Sequence, residues 1–160
     1  MNWSKEKILE LLKEVKDPEV PVLDIVELGV VRDVELEDGN VSVLITPTYS
    51  GCPAMNTIEN DITAILHKNG IENITTKTVF SPPWTTDWMS EQTKNKLKAY
   101  GIAPPGKTTA ELVDLNTATT ICPFCNSENT ELKSEFGSTA CKSLHYCKEC
   151  DQPFEHFKCI

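Results

Sequence analysis

Four cysteines near the C-terminus, Cys122, Cys125, Cys147 and Cys150, form two C-x-x-C pairs separated by 21 residues. That spacing is close to the pattern of tetrathiolate metal sites. Two thiolates three positions apart on a tight turn grip one tetrahedral ion from one side, and a second turn supplies the other two. Pro123 stiffens the first knuckle, while Asn126 and Asp151 each follow the second cysteine of a pair. A knuckle calls for left-handed backbone there, which Asn and Asp tolerate better than most residues. The quartet is read as a closed structural site for Zn²⁺, against rubredoxin-type iron or a redox pair as alternatives. The segment is small. Its apolar residues include Ile121, Phe124, Leu132, Phe136, Leu144 and Phe154, too few to support a fold without metal.

A second place where chemistry could sit is Thr46-Pro47-Thr48-Tyr49-Ser50-Gly51-Cys52-Pro53, which leaves a strand and enters a helix. Loops in that position commonly carry function. With Cys52 at the helix N-cap and Pro53 at the first helical position, the thiol would face free backbone N–H groups and the positive end of the helix dipole. Both favour the thiolate, the better nucleophile and metal ligand. The competing reading is a small buried cysteine that packs as an apolar residue. The Asp17-Pro18-Glu19 turn adds two carboxylates, a candidate partner-binding pair or a solvated helix terminus.

These residues need a scaffold, and the pattern supplies an α+β one. Ser4 caps a helix whose apolar positions Ile8, Leu11, Leu12 and Val15 share a face and which stops at Asp17-Pro18. Strands are expected over Val30–Glu37 and Val41–Thr46, joined by an Asp38-Gly39-Asn40 hairpin turn. A second helix starts at Pro53, turns Ile58, Ile62, Ile65 and Leu66 inward and ends at Gly70. Ile74–Phe80 reads as a third strand, and Ser90 caps a short helix closed by Gly101. The order predicts a small three-stranded sheet with helices on one face. Residues 1–100 then form the α+β domain, 101–120 a linker containing Pro104-Pro105-Gly106, and 121–160 the ribbon.

Composition narrows the class of partner. The chain has 160 residues, 24% of them charged and 39% hydrophobic, with a net charge of −9. That charge divides into −7 over residues 1–120 (11 basic, 18 acidic) and −2 over 121–160 (4 basic, 6 acidic). Neither part is basic, which argues against nucleic acid, since a grip on phosphates needs clustered Lys and Arg. No apolar run reaches membrane-spanning length, and the first residues lack the apolar stretch of a secretory signal. Seven cysteines, four in metal spacing, imply reduced thiols and a cytoplasmic setting.

Asp17-Pro18-Glu19-Val20-Pro21, Leu28-Gly29-Val30 and the threonine-bearing loop ending at Cys52-Pro53 resemble the SufT-like domain of iron–sulfur cluster assembly, over roughly residues 5–100. Further residues resemble the PaaD (PaaJ) family, accessory proteins encoded with phenylacetyl-CoA epoxidase, a multicomponent di-iron oxygenase of phenylacetate breakdown. They are Ser81-Pro82-Pro83-Trp84-Thr85-Thr86-Asp87-Trp88-Met89, Gly101-Ile102-Ala103-Pro104-Pro105, the ribbon, Phe136-Gly137-Ser138-Thr139-Ala140-Cys141-Lys142 and Phe154-Glu155-His156-Phe157-Lys158-Cys159. The resemblance implies a non-catalytic maturation factor, whose partners are epoxidase oxygenase or reductase subunits and iron–sulfur assembly proteins. The residues agree. There is no Glu-x-x-His pair on a predicted helix for a di-iron bundle, no dinucleotide fingerprint and no ferredoxin-type cysteine run.

Cys52, Cys141 and Cys159 lie outside the quartet. Converging within one chain or across a homodimer, they would hold a labile iron–sulfur cluster with one iron open for transfer. Alternatively Cys141 and Cys159 are structural. His145 and His156 could add a ligand or be ordinary histidines. Trp84 and Trp88 are candidate partner anchors, because interface hot spots are rich in Trp, or a strap that fills a cleft. Two other roles remain in view: a structural or regulatory oxygenase subunit that handles no iron, and a small rubredoxin-like electron carrier.

Overall fold

The computed structural model describes residues 2–106 and 119–158. They divide into two compact units, residues 1–84 and 85–160. In the first unit, helix α1 (Lys5–Leu12) opens at Ser4, whose hydroxyl accepts the Lys7 N–H at 3.4 Å, and buries Ile8 and Leu12. Strands β1 (Val31–Glu37) and β2 (Asn40–Ile45) pair antiparallel around a turn with Asp38 at φ 47° and Gly39 at φ 80°. Two consecutive left-handed residues match the twist of a tight hairpin, and Asp-Gly provides them at low cost. Strand β3 (Ile74–Thr78) lies parallel to β2, giving the order β1-β2-β3. A parallel neighbour requires a crossover, and helix α2 (Ala54–Lys68) is that crossover. Its buried Ile58, Ile62 and Leu66 share the core with Val34, Val41, Val43 and Ile45 of the sheet.

The α+β class, the element order and the helix spacing follow the sequence. Between α1 and β1 the chain folds into successive turns built by two aspartates. Asp17 Oδ1 accepts the N–H groups of Glu19 and Val20, both at 2.8 Å, and Asp24 Oδ1 accepts those of Val26 and Glu27 at 2.9 and 2.8 Å. These bonds satisfy backbone that no ladder reaches. Tyr49, in the loop that follows β2, reaches the first turn through Glu19.

The second unit begins with a short 3₁₀ turn (Thr86–Trp88) and helix α3 (Glu91–Tyr100), capped by Ser90 and closed by Gly101 at φ 96°. The first residues of the expected linker instead join a sheet. Ile102–Ala103 form strand β4, buried and parallel to the last strand. With β5 (Thr130–Ser134), β6 (Lys142–Cys147) and β7 (Pro153–Phe157), the sheet has the order β4-β7-β6-β5. The compact units thus divide after Trp84, earlier than residue 100, because α3 and β4 group with the ribbon. Most of the linker expected over 101–120 lies outside the described residues. Among the described residues no helix is long and apolar enough to cross a membrane.

Candidate metal centre and thiol site

The ribbon knuckles bring Cys122, Cys125, Cys147 and Cys150 together, with their four Sγ atoms all within 4.8 Å of one another. Cys122 and Cys150 are 3.7 Å apart and Cys125 and Cys147 3.6 Å apart. Four sulfurs at about 2.3 Å from one tetrahedral ion sit about 3.8 Å from each other, so the donor set fits such an ion. Both knuckles have the expected backbone, with Asn126 at φ 61° and Asp151 at φ 56°. The Cys122 N–H donates to the Ser127 carbonyl at 3.0 Å and the Cys147 N–H to that of Gln152 at 2.9 Å. Backbone N–H groups also reach the sulfurs. Those of Cys150 and Glu149 draw the Cys147 thiol down to about 7, while burial and the neighbouring thiols push Cys150 up to about 12. Such donors favour the thiolate that a metal requires.

What surrounds the quartet differs from the apolar set read from sequence. Ile121, Phe124, Leu132 and Phe136 are exposed. The buried cluster consists of Ala103, Cys122, Cys147 and Phe154, with Cys150 packed against it. Half of that cluster is cysteine.

Cys141 is not among the described thiols that converge there. Cys141 is buried in the second unit, with Sγ 3.1 Å from Thr139 Oγ1. Cys159 lies outside the described residues, as does any contact it makes. His145 is buried, its Nε2 is 2.9 Å from Ser143 Oγ, and its ring stacks on Phe154 at 5.5 Å. Burial lowers the His156 imidazole to about 4, helped by neighbouring His145 and Lys158. Burial favours the neutral form of both imidazoles. Trp84 is buried and its indole N–H donates to the Leu28 carbonyl at 2.8 Å. It therefore serves the core of the first unit and not a surface anchor: Trp was the right residue for a hot spot, but its one donor is already engaged inside. Trp88 is 39% exposed.

In the first unit the fold brings the Asp17-Pro18-Glu19 turn against the loop after β2. The Tyr49 hydroxyl donates to Glu19 Oε1 at 3.2 Å, and the Cys52 N–H donates to the Tyr49 carbonyl at 3.3 Å. Cys52 is half-buried at the mouth of α2, and the Ala54 N–H reaches its sulfur as a helix start allows. The expectation that this position yields a thiolate needs correction. Burial pushes the Cys52 thiol up, and the Glu19 and Asp17 carboxylates push it the same way, beyond the pull of the Ala54 N–H. Burial and the nearby Cys52 and Glu19 also raise the Tyr49 phenol well above its ordinary range. Cys52 is consequently a protonated thiol among acids, whose own negative charge is unwelcome unless a cation arrives with it. Sequence reasoning located Cys52, Asp17 and Glu19 but missed Tyr49. The residue stands three places before Cys52, yet nothing local reveals that Glu19, 30 residues earlier, faces it.

Comparisons with known proteins follow the same division. Residues 106–158 match the PaaD zinc beta ribbon domain, and residues 5–74 match the iron–sulfur cluster assembly protein family. An Escherichia coli K12 protein named as a component of 1,2-phenylacetyl-CoA epoxidase is 42% identical over 154 residues, covering 96% of this chain and 92% of the relative. The Bacillus subtilis Fe-S protein maturation auxiliary factor YitW is 39% identical over 92 residues, which is 56% of this chain and 89% of that protein. A crystal structure of a DUF59 domain from Bacillus anthracis superposes with a TM-score of 0.55 at 34% identity, covering 58% of this chain and 90% of that one. A conserved hypothetical protein from Thermotoga maritima gives 0.52 at 38% identity, over 60% and 95%. Joining an iron–sulfur assembly domain of the SufT-like kind to a PaaD zinc ribbon, and aligned with the Escherichia coli protein almost from end to end, the chain belongs to the PaaD family.

Proposed function

We propose that the protein is a non-catalytic accessory factor that assists assembly of iron–sulfur or iron centres in the phenylacetyl-CoA epoxidase system. Cys52 is the thiol through which the cargo passes. The observation that carries this reading is the position of Cys52: a single accessible thiol at a helix mouth, flanked by Tyr49, Glu19 and Asp17, inside the region that matches the iron–sulfur assembly family. A lone thiol with oxygen neighbours makes an incomplete ligand set, and an incomplete set is what a donor needs, because a closed one releases its metal slowly. The iron–sulfur cluster is cargo on this account, completed by ligands of a partner protein or of a second copy. The epoxidase oxygenase and reductase subunits are the clients, in a compartment that keeps thiols reduced.

The ribbon quartet has the opposite design. Four converging thiolates close the coordination sphere, so Zn²⁺ held by Cys122, Cys125, Cys147 and Cys150 would fold the second unit and take no part in transfer. Zinc has no redox chemistry, which sets this reading apart from a rubredoxin-like electron carrier.

Anaerobic reconstitution with ferrous iron and sulfide, followed by incubation with the apo-form of the epoxidase reductase, tests the proposal. Transfer should restore the client's cluster absorption faster than iron and sulfide alone, and Cys52→Ser should abolish that advantage. A wild-type protein that gives no acceleration while binding the oxygenase would make it a structural or regulatory subunit instead.

A further inference from the structure

The two knuckles of the ribbon carry the same ligands and the same left-handed turn, yet the fold holds them differently. The second knuckle joins β6 to β7, the two inner strands of the sheet: Cys147 ends β6 and Pro153 begins β7. The first knuckle leads only into β5, an edge strand. Side chains widen the difference. The Tyr146 hydroxyl donates to Asp151 Oδ1 at 2.9 Å, linking the residue before Cys147 to the residue after Cys150. Tyr146 is itself paired with Glu131 of β5 on one side and Pro153 of β7 on the other, and the Lys133 ammonium lies 5.4 Å from its ring centroid. The Glu131 carboxylate pairs with Lys133 and, at 2.9 Å, with Lys148 inside the second knuckle. Exposed ion pairs of this kind are each worth little, so the Tyr146–Asp151 bond is the decisive part of the brace. In the first knuckle, Asn126 has the matching backbone, φ 61° against 56° for Asp151, but its side chain makes no hydrogen bond among the described residues. Cys125 is exposed, whereas Cys150 is partly covered.

We propose that Tyr146 is a positioning residue of the metal centre: by holding the Asp151 carboxylate it fastens the second knuckle, so that Cys125 and Cys122 let go of the ion before Cys147 and Cys150 do. The inference rests on the reading of the quartet as a Zn²⁺ site and adds the order in which its thiolates open. Hydrogen bonds just outside a ligand set orient the ligands, because a ligand whose backbone is pinned cannot drift from the ion. Left-handed backbone carries a steric cost for any residue with a Cβ. Asp151 has a side-chain bond to offset that cost and Asn126 has none.

The order is read on the zinc-loaded full-length protein. Excess EDTA takes the ion as Zn²⁺ with no oxidation, and short pulses of N-ethylmaleimide trap each thiolate as it comes free, scored residue by residue by peptide mass spectrometry. Cys125 should be labelled ahead of Cys150 by roughly threefold to tenfold, the range that one hydrogen bond supplies. Tyr146→Phe removes only the hydroxyl, and Asp151→Gly keeps the left-handed backbone while removing the carboxylate. Both should bring Cys150 level with Cys125. Asp151→Asn keeps an acceptor for Tyr146 and should preserve the native order, and Asn126→Gly should leave it unchanged. A merely structural contribution of Tyr146 would speed the whole quartet in proportion and leave the Cys125-to-Cys150 ratio where it was, and that result would overturn the proposal. So would a native protein whose quartet reacts together, a result that needs no variant to fold. A chain that takes up no zinc would overturn the reading of the quartet as well, whereas zinc uptake with the quartet labelled together would overturn the order alone.

Discussion

At the scale of single residues, Cys52 shows how position and environment can oppose each other. The helix starts one residue later than expected, with Pro53 and not Cys52 at the N-cap; the Ala54 N–H still favours the thiolate, yet burial and two carboxylates outweigh it. The direction of that shift has a measurable consequence. A raised thiol pKa means a smaller thiolate fraction at pH 7, and the thiolate is the nucleophile. Neutral iodoacetamide should therefore modify Cys52 more slowly at pH 7 than it modifies a free cysteine peptide, with the deficit closing only above the ordinary thiol range. Faster modification than the peptide would show that the helix start wins after all. Cys52 itself was legible, because Cys-Pro after a strand marks a helix mouth. Its ionisation was not, since Glu19 and Tyr49 meet only through the tertiary fold. Trp84 teaches the same lesson. Its residue type suits both a hot spot and a core, and only the Leu28 carbonyl at 2.8 Å decides for the core.

At the scale of elements, the strongest sequence signals were those with a local cause. The Asp38-Gly39 turn, the Ser4 and Ser90 caps and the Gly101 stop all appear where expected, because each depends on backbone only a few residues away. Asn126 and Asp151 adopt the left-handed backbone that the knuckles call for, for the same reason. Strand β4 was not legible. Ile102–Ala103 is two residues long, and its partner β7 lies more than 50 residues further on, so neither length nor periodicity announces it. Of the ribbon's apolar residues, Phe154 joins a buried cluster with Cys122, Cys147 and Ala103, whereas Ile121, Phe124, Leu132 and Phe136 are exposed. This makes a clear prediction for the metal. Cys147→Ser should release zinc and open the second unit to limited proteolysis, while the first unit stays resistant. Elemental analysis of freshly purified native protein and a protease time course check both halves. A metal-free native protein whose second unit is still protected would contradict the assignment.

At the scale of the whole molecule, two compact units carry two kinds of cysteine chemistry. In the second unit, four thiols close on one point and serve the fold. In the first, one half-buried thiol lies near Tyr49, Glu19 and Asp17, and on the proposed reading it serves exchange. The chain carries a net charge of −9, and neither part of it is basic. The central claim is that Cys52 delivers, and one measurement tests it most directly: epoxidase activity and iron content in cells whose only change is Cys52→Ser. One small side chain changes in a half-buried place, so the variant should fold and keep its ribbon metal, with Cys52→Ala as the packing control at a cost of about 1 kcal/mol. The account predicts normal amounts of the epoxidase polypeptides, underloaded iron centres and little or no epoxidase activity. Full activity with fully loaded iron centres in the Cys52→Ser strain would contradict it.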